Sequence, residues 1–520
     1  MFVHPSDIRT LLSRKKSAIY RTEVPLFQDL LEMIGSINAK VEQEQPGTLE
    51  RIGLTKERLT EEIHGAIRLA LPYELQKMAE GFAICGMYPA NYYDLTVAGM
   101  PSHATAFRPL EREELAKNPY RVFTSMLKLD VLKEKMEAKI KQTTQDPQLA
   151  AEHSAELWSK IESILEKRTI FTPRYLELLD IHKQQGGFTK EQAQEFVDAF
   201  LETFKWQRTA AVSKELYEEL SSLYKIVGDV LGFRVPHINH LTPVTLDIDR
   251  AHQEMKERGM KAIKVIQGPP ARLAPVLLRQ TSFRALTEET SFPDENGRLI
   301  PGGHTARFGE IEQRGVAVTP KGRALYDLLL DAVIQAAPAE EAPHYTERYP
   351  QVLASIFELY PDSYEALRKQ KLAYFYYHPT EEGRKASQSQ ALTSTSTEDL
   401  IREGYLQTVP ITYEDFLPVS AVGIFKSNLG DMDSQQGGDY SDVQIQSIKE
   451  KLNQEILELY NQYDENGNPV KEAPISENQR SFEQALGQAP SNMFHAYAAL
   501  QDASINNALK ELNVQEQIVA

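Results

Sequence analysis

Two stretches of this chain, one starting near His64 and one near His240, read as the same succession of elements, and that succession constrains the fold most. In the first, "IHGAIRLA" is short and suits a strand, and Pro72 then opens "PYELQKMAEGFAICGMYP". There Leu75, Met78, Ala79 and Phe82 recur at i, i+3, i+4 and i+7, one face of a helix that starts on a proline. "YYDLTVAG" and "HATAFRPL" follow as strands. In the second, "HINHLTP" is extended, "DRAHQEMKERG" is helical and ends at Gly259, and "KAIKVI", "PVLLRQTSF" and "TARFGEIEQRGVAV" are strand-like. Each stretch is therefore expected to be a βαβββ module, spanning about 60–110 and 236–320, each with a histidine on its first strand. The fold class is α+β.

The rest of the chain is predicted to be helical. Between the modules, at about 125–233, Ala193, Phe196, Val197, Phe200, Leu201 and Phe204 form an apolar stripe of helical period behind a Thr189/Gln192 capping box. Leu216, Leu220, Leu223, Val227 and Val230 repeat the pattern in one further helix that starts after Ser213. A second insertion is expected at about 321–405, where "GRALYDLLLDAVIQAA" and the tyrosine-rich stretch to His378 read as helix before a Ser/Thr/Gln-rich loop. "ITYEDFLPVSAVGIFKSNLG" is apolar enough to return to the core. The catalytic part is expected to cover 1–430, with 431–520 a helical C-terminal extension whose Ile445, Ile448, Leu452, Ile456, Leu459 and Tyr463 share a side and which reads as peripheral.

Charge and composition exclude several classes of function. A net charge of -17 repels phosphate backbones, and no basic stripe is interleaved with aromatics, so nucleic acid is not an expected partner. No run approaches the roughly 18 uninterrupted apolar residues of a membrane span, and the opening "MFVHPSDIRTLLSRKK" lacks the order of a signal peptide. A cytoplasmic protein is expected. The single cysteine, Cys85 in "FAICGMYP", suits a reducing compartment and a place in the core.

Three places carry residues of the right type for metal and acid chemistry. In "HGAIR", His64 and Arg68 are four apart and share a face whether the segment is strand or helix. A neutral imidazole beside a guanidinium suits a metal with a carboxylate substrate held next to it; a surface histidine and a salt-bridged arginine would have the same spacing. In "HINH", Pro236 and Pro243 disfavour a helix, and in an extended chain i and i+3 point to opposite faces, so at most one of His237 and His240 faces a given site. In "HTARFGEIEQRG", strand alternation puts His304, Ala306, Phe308 and Glu310 on one side. A carboxylate there needs a partner, either a metal or an arginine such as Arg279 or Arg307. Two histidines and one carboxylate make the facial triad of non-haem Fe(II) oxygenases.

The segments "HGAIR", "NYYDLTVAGMPSHATAFRP", "YRVFTSML", "HINHLTP", "TLDID", "LLRQTSF", "HTARFGEIEQRG", "TPKGR" and "YEDFLPVSAVGIF" run in order through the chain. On them the chain resembles the 2-oxoadipate dioxygenase/decarboxylase family, the bacterial 2-hydroxyglutarate synthases of lysine catabolism. That family is similar in fold to the vicinal oxygen chelate enzymes, so the resemblance implies that the paired modules form a metal-binding barrel. It further implies an Fe(II) enzyme converting 2-oxoadipate and O2 to D-2-hydroxyglutarate and CO2, with the substrate as its own 2-oxo acid cosubstrate. Carried over by position, the metal ligands fall on His64, His240 and Glu310, the substrate-binding arginine on Arg68, and the backbone contacts to substrate on Val419 and Ser420. His237 is left a supporting or structural role. The chain departs from the expected pattern at Val244, where relatives are expected to carry arginine. The competing readings are a metal enzyme of the same fold acting on another 2-oxo acid, and a metal- or ligand-binding protein without catalysis. The oligomeric state is not specified by the sequence.

Overall fold

Among the described residues the chain forms ten strands, the first eight of which build one sheet. These are β1 (His64–Leu69), β2 (Tyr88–Asp94), β3 (Ser102–Arg108), β4 (Arg121–Leu127), β5 (His240–Thr242), β6 (Leu278–Ser282), β7 (Leu286–Pro293) and β8 (Leu299–Arg314). The structure, a computed structural model, describes residues 2–52, 55–56, 59, 64–389, 392, 396–416 and 438–514. The strands follow the order β2-β3-β4-β1-β5-β8-β6, with β7 also paired to β8, and the sheet curls into a half-barrel.

The expected repeat is present in the hydrogen bonding. In the first module β1 runs parallel to the last strand, β4, which is antiparallel to β3. In the second β5 runs parallel to the last strand, β8, which is antiparallel to β7. The halves meet where β1 pairs antiparallel with β5, His64 opposite Thr242 and Gly65 opposite Leu241. Gly65 is required there: a Cβ would lie 2.7 Å from Ile238 Cδ1 and 2.9 Å from the His240 carbonyl oxygen. The two halves diverge at β8, whose 16 residues pair with β7 along 299–307 and with β6 along 310–314.

Several boundaries differ from expectation. The first module extends to β4, beyond residue 110. "KAIKVI" makes only an isolated bridge, Ala262 to Phe283, and the middle strand is β7, "LTEETSFP", whose exposed positions are polar. A β-branched run suggested the wrong segment because β7 is half-exposed and its adjacent Glu288 and Glu289 masked it. The segment 214–232 is two helices, Lys214–Leu223 and Lys225–Gly232, broken at Tyr224, whose backbone is extended. Tyr374–His378 is not helical: β9 (Phe375–Pro379) pairs antiparallel with β10 (Leu406–Pro410).

The block from Leu129 to Gly232 is helical as expected apart from the break at Tyr224, with Thr189 capping Lys190–Leu201 through a box with Gln192 and Ser213 capping Lys214–Leu223. Its aromatic stripe packs on the first module, where Phe82 stacks on Phe107 at 4.8 Å and meets Phe200 at 5.3 Å. Of two N-terminal helices, Pro5–Glu23 packs on the helical block and the first half, where Arg9 donates to the Cys85 and Asn118 carbonyls at 2.9 Å, and Pro25–Glu44 lies against β8; the Tyr20 hydroxyl meets the carbonyl oxygens of Phe308 and Asn239 at 2.8 and 3.1 Å. The C-terminal helices are not peripheral. Met493, Tyr497, Leu509 and Leu512 are buried in a second core with Leu325, Leu329 and Phe375. Gln501 and Ser504 accept hydrogen bonds from the Phe375 and Tyr377 amides, which satisfies the outer edge of β9. No helix among the described residues is long and apolar enough to cross a membrane.

Candidate metal centre

The strand register brings three distant residues to one point. His64 lies opposite Thr242, two residues from His240 on β5, and His240 lies opposite Phe308, two residues from Glu310 on β8. Since alternate residues on a strand share a face, all three side chains emerge on the same side of the sheet. His64 Nε2 is 3.4 Å from Glu310 Oε1, His240 Nε2 is 3.8 Å from Glu310 Oε2, and the imidazole centroids are 5.8 Å apart. All three are buried, and one donor atom from each lies within 4.8 Å of the others.

The electrostatics suit a cation. Burial, then the charge of Arg121, holds the His64 imidazole well below its usual range. Burial, then the charge of Arg68, holds His240 down at about 3. Both rings are therefore neutral near pH 7 and able to offer a lone pair. Glu310 is pushed the other way: burial, then neighbouring Glu312, raises its carboxyl well above the usual range, against hydrogen bonds from Thr242 (3.3 Å) and Gln280 (2.7 Å). A buried carboxylate whose hydrogen-bond donors are neutral side chains is costly unless a cation balances it. The arginine partners that the sequence allowed for Glu310 are engaged elsewhere, Arg279 with Asp249 and Arg307 with Glu288 and Glu23. Two neutral imidazoles and one uncompensated carboxylate on one face fit a divalent transition metal with positions left open.

Rings and a second acid wall the centre. Phe308 stacks on His240 at 4.7 Å, and Phe416 meets the edge of His64 at 4.8 Å. Glu312 Oε2 is 3.2 Å from His64 Nε2, while its Oε1 accepts a 2.6 Å bond from Arg314 Nε.

Arg68 leaves the same face of β1 and is buried. Its Nη1 donates to Asp229 and, at 2.7 Å, to Asn239 Oδ1. Asp229 also receives His304 Nε2 at 2.9 Å, and His237 Nε2 lies 3.1 Å from the same oxygen. His237 and His240 thus face different clusters, as extended geometry requires. Against the upward push of burial, His237 and Arg68 keep the Asp229 carboxyl well below the usual range. His304 therefore stands apart from Glu310, although alternation places them on one side of β8. His103 is in neither cluster: it packs at 4.7 Å on Phe482. Val419 and Ser420 lie outside the described residues. Val244 is buried, and its carbonyl accepts a 3.0 Å bond from Asn38.

Sequence reasoning missed Glu312 and Asp229. The signal for Glu312 was its i+2 spacing from Glu310. For Asp229 it was a lone acid in the apolar helix "KIVGDVLG", where a buried carboxylate demands a partner.

A family model described as 2-oxoadipate dioxygenase/decarboxylase matches residues 12–163 and 148–428. The 2-oxoadipate dioxygenase/decarboxylase of Pseudomonas putida is 45% identical over 432 residues, 83% of this chain and 88% of that protein. That of Escherichia coli is 42% identical over 461 residues, 88% of this chain and 96% of that protein. The crystal structure of the Pseudomonas putida hydroxyglutarate synthase in complex with 2-oxoadipate superposes with a TM-score of 0.78 at 40% identity, covering 98% of this chain and 99% of that one. The order of the strands, the buried triad and these matches agree, and the chain belongs to the 2-oxoadipate dioxygenase/decarboxylase family.

Proposed function

We propose that this protein is an Fe(II)-dependent dioxygenase that converts 2-oxoadipate and O2 to D-2-hydroxyglutarate and CO2, in the cytoplasm and in lysine degradation. The observation that carries the reading is the convergence of neutral His64 and His240 with Glu310, beside the guanidinium of Arg68. The atoms balance without a further reductant. C1 leaves as CO2, one oxygen of O2 completes the new carboxylate on the former C2, and the other becomes the hydroxyl on the adjacent carbon.

Bound Fe(II) would supply Lewis acidity and open positions for the 2-oxo acid and O2. His64, His240 and Glu310 would hold it, and the two imidazoles need lose no proton to do so. Arg68 binds the distal carboxylate of the substrate and so fixes which hydrogen of the neighbouring carbon is presented to the centre, which sets the D configuration. Phe308 and Phe416 exclude water from the reacting carbons. The backbones of Val419 and Ser420 are proposed as additional substrate contacts.

The test is product analysis with 2-oxoadipate and Fe(II), in air and without oxygen. One O2 consumed and one CO2 released per 2-hydroxyglutarate formed, with no product under anaerobic conditions, is the expected result. Product formed without O2, or no oxygen uptake on 2-oxoadipate, overturns the proposal.

A further inference from the structure

We propose that Asp229 is the positioning residue that aims Arg68, and that it thereby sets the preference of the site for 2-oxo acids carrying a second carboxylate. The inference rests on the reading of Arg68 given above. Arg68 reaches the site on a long side chain, yet one of its nitrogens, Nη1, is held by two acceptors, an Asp229 oxygen and Asn239 Oδ1 at 2.7 Å. Two acceptors on one nitrogen fix the direction of the guanidinium fork, on which bidentate recognition of a carboxylate depends.

Asp229 is itself held from behind. The hydroxyl of Tyr217 lies 2.7 Å from His304 Nδ1, and His304 Nε2 lies 2.9 Å from Asp229 Oδ1. The carboxylate can only accept, so Nε2 carries the proton and donates to Asp229, whose other oxygen faces Arg68, and Nδ1 in that tautomer accepts from the Tyr217 hydroxyl. The His304 ring is stacked on Trp206 at 5.3 Å and lies 4.3 Å from Phe233, so it cannot rotate away. His237 Nε2 closes the remaining side of Oδ1 at 3.1 Å.

Asp229, His237 and His304 bring donor atoms within 4.8 Å of one another, as metal ligands would. The charges argue against a dication there. Arg68 already occupies one carboxylate oxygen, and the Arg307 guanidinium lies 4.2 Å from the Trp206 ring centre beside the two imidazoles. With one oxygen committed to the Arg68 guanidinium, the Asp229 carboxylate suits the orienting of a cationic side chain.

The test compares 2-oxoadipate with 2-oxohexanoate, which has the same chain length and no distal carboxylate. Binding to the Fe(II)-loaded protein is measured by calorimetry without oxygen, and kcat/KM in air. Asp229→Asn keeps the shape of the side chain and removes its charge. It is expected to weaken 2-oxoadipate by about 10–100-fold and 2-oxohexanoate by less than about 3-fold, with metal content unchanged. Tyr217→Phe, at the half-buried end of the chain, should lower the same ratio by about 2–5-fold, and it carries the test if the first variant does not fold. An equal loss for both acids, or an unchanged ratio, overturns the inference while leaving the function intact. A second equivalent of metal in the wild type, lost in Asp229→Asn, also overturns it. A wild type that neither prefers 2-oxoadipate nor consumes O2 with it overturns the proposed function, and the inference with it.

Discussion

Tyr497 donates a 2.5 Å hydrogen bond to Asp415, the residue beside the ring that packs on His64. The same hydroxyl accepts a 2.8 Å bond from the Glu414 amide, and Asp415 is also bound by Arg108 at 2.6 Å. A helix near the C-terminus thereby fixes one wall of the metal centre. Tyr497→Phe removes the hydroxyl that bonds the Glu414 amide and leaves Asp415 to Arg108 alone among these side chains, and should cost about 1–3 kcal/mol in stability, with a fall in 2-oxoadipate turnover at unchanged metal content. Thermal unfolding and metal analysis on one preparation check this; a variant with wild-type stability and rate would show the tail to be irrelevant to the site.

The two histidines of "HINH" should separate cleanly in a metal assay. His240→Ala, His64→Ala and Glu310→Ala are each expected to take bound iron from about one per chain to near none. His237→Ala should retain iron, since its ring faces Asp229 and not Glu310. Iron lost from His237→Ala and kept by His240→Ala would reverse the assignment.

Lys16 gives a pH dependence remote from the centre. Its ammonium is buried 3.9 Å from the Phe204 ring centre, and burial pulls its pKa down to about 7. Between that value and the usual 10.5 the unfolded chain holds a proton that the folded chain does not, so stability from this group rises with pH across the interval. Lys16→Met should be the more stable protein near pH 6, by about 2–4 kcal/mol, with the difference shrinking as pH rises above about 7. Denaturant titrations at pH 6 and pH 9.5 test the sign: a difference that grows with pH refutes it.

Gly65→Ala should damage the join between the halves. The added methyl would meet the His240 carbonyl at 2.9 Å, in a backbone pairing with little room to yield. A loss of about 1–3 kcal/mol is expected, together with weaker iron binding, because His240 sits on the displaced strand. Unchanged iron affinity would mean that β5 tolerates the shift.

The site was more legible than the sheet that builds it. Spacing put His64 and Arg68 on one face and Glu310 beside Phe308 but left ion-pair readings open, so their roles came from family resemblance; proline geometry separated His237 from His240 without any tertiary knowledge. The choice of His240 over His237 as a proposed ligand likewise came from family resemblance, since both are buried and both meet a carboxylate. The strand β7 was missed although it forms a local hairpin with β8, because its polar positions, Glu288 among them, read as a loop until Arg307 on the neighbouring strand is seen to pair with that carboxylate. The C-terminal helices were read as peripheral because Tyr497 and Met493 acquire their meaning only from Asp415 and the second core. Tertiary partners of this kind leave no periodic trace.

The donor set has an order in time as well as in space. His64 on β1 is synthesised first, the short β5 arrives only after the whole helical block, and β8 must follow before Glu310 can face the two imidazoles. A chain emerging from the ribosome thus carries isolated histidines through most of its synthesis. Phe416 and its brace Tyr497 come later still. The helix Met493–Glu511 therefore decides when the centre acquires a braced wall, so a chain released before that helix is made holds every proposed ligand and still lacks the brace on Asp415 beside Phe416.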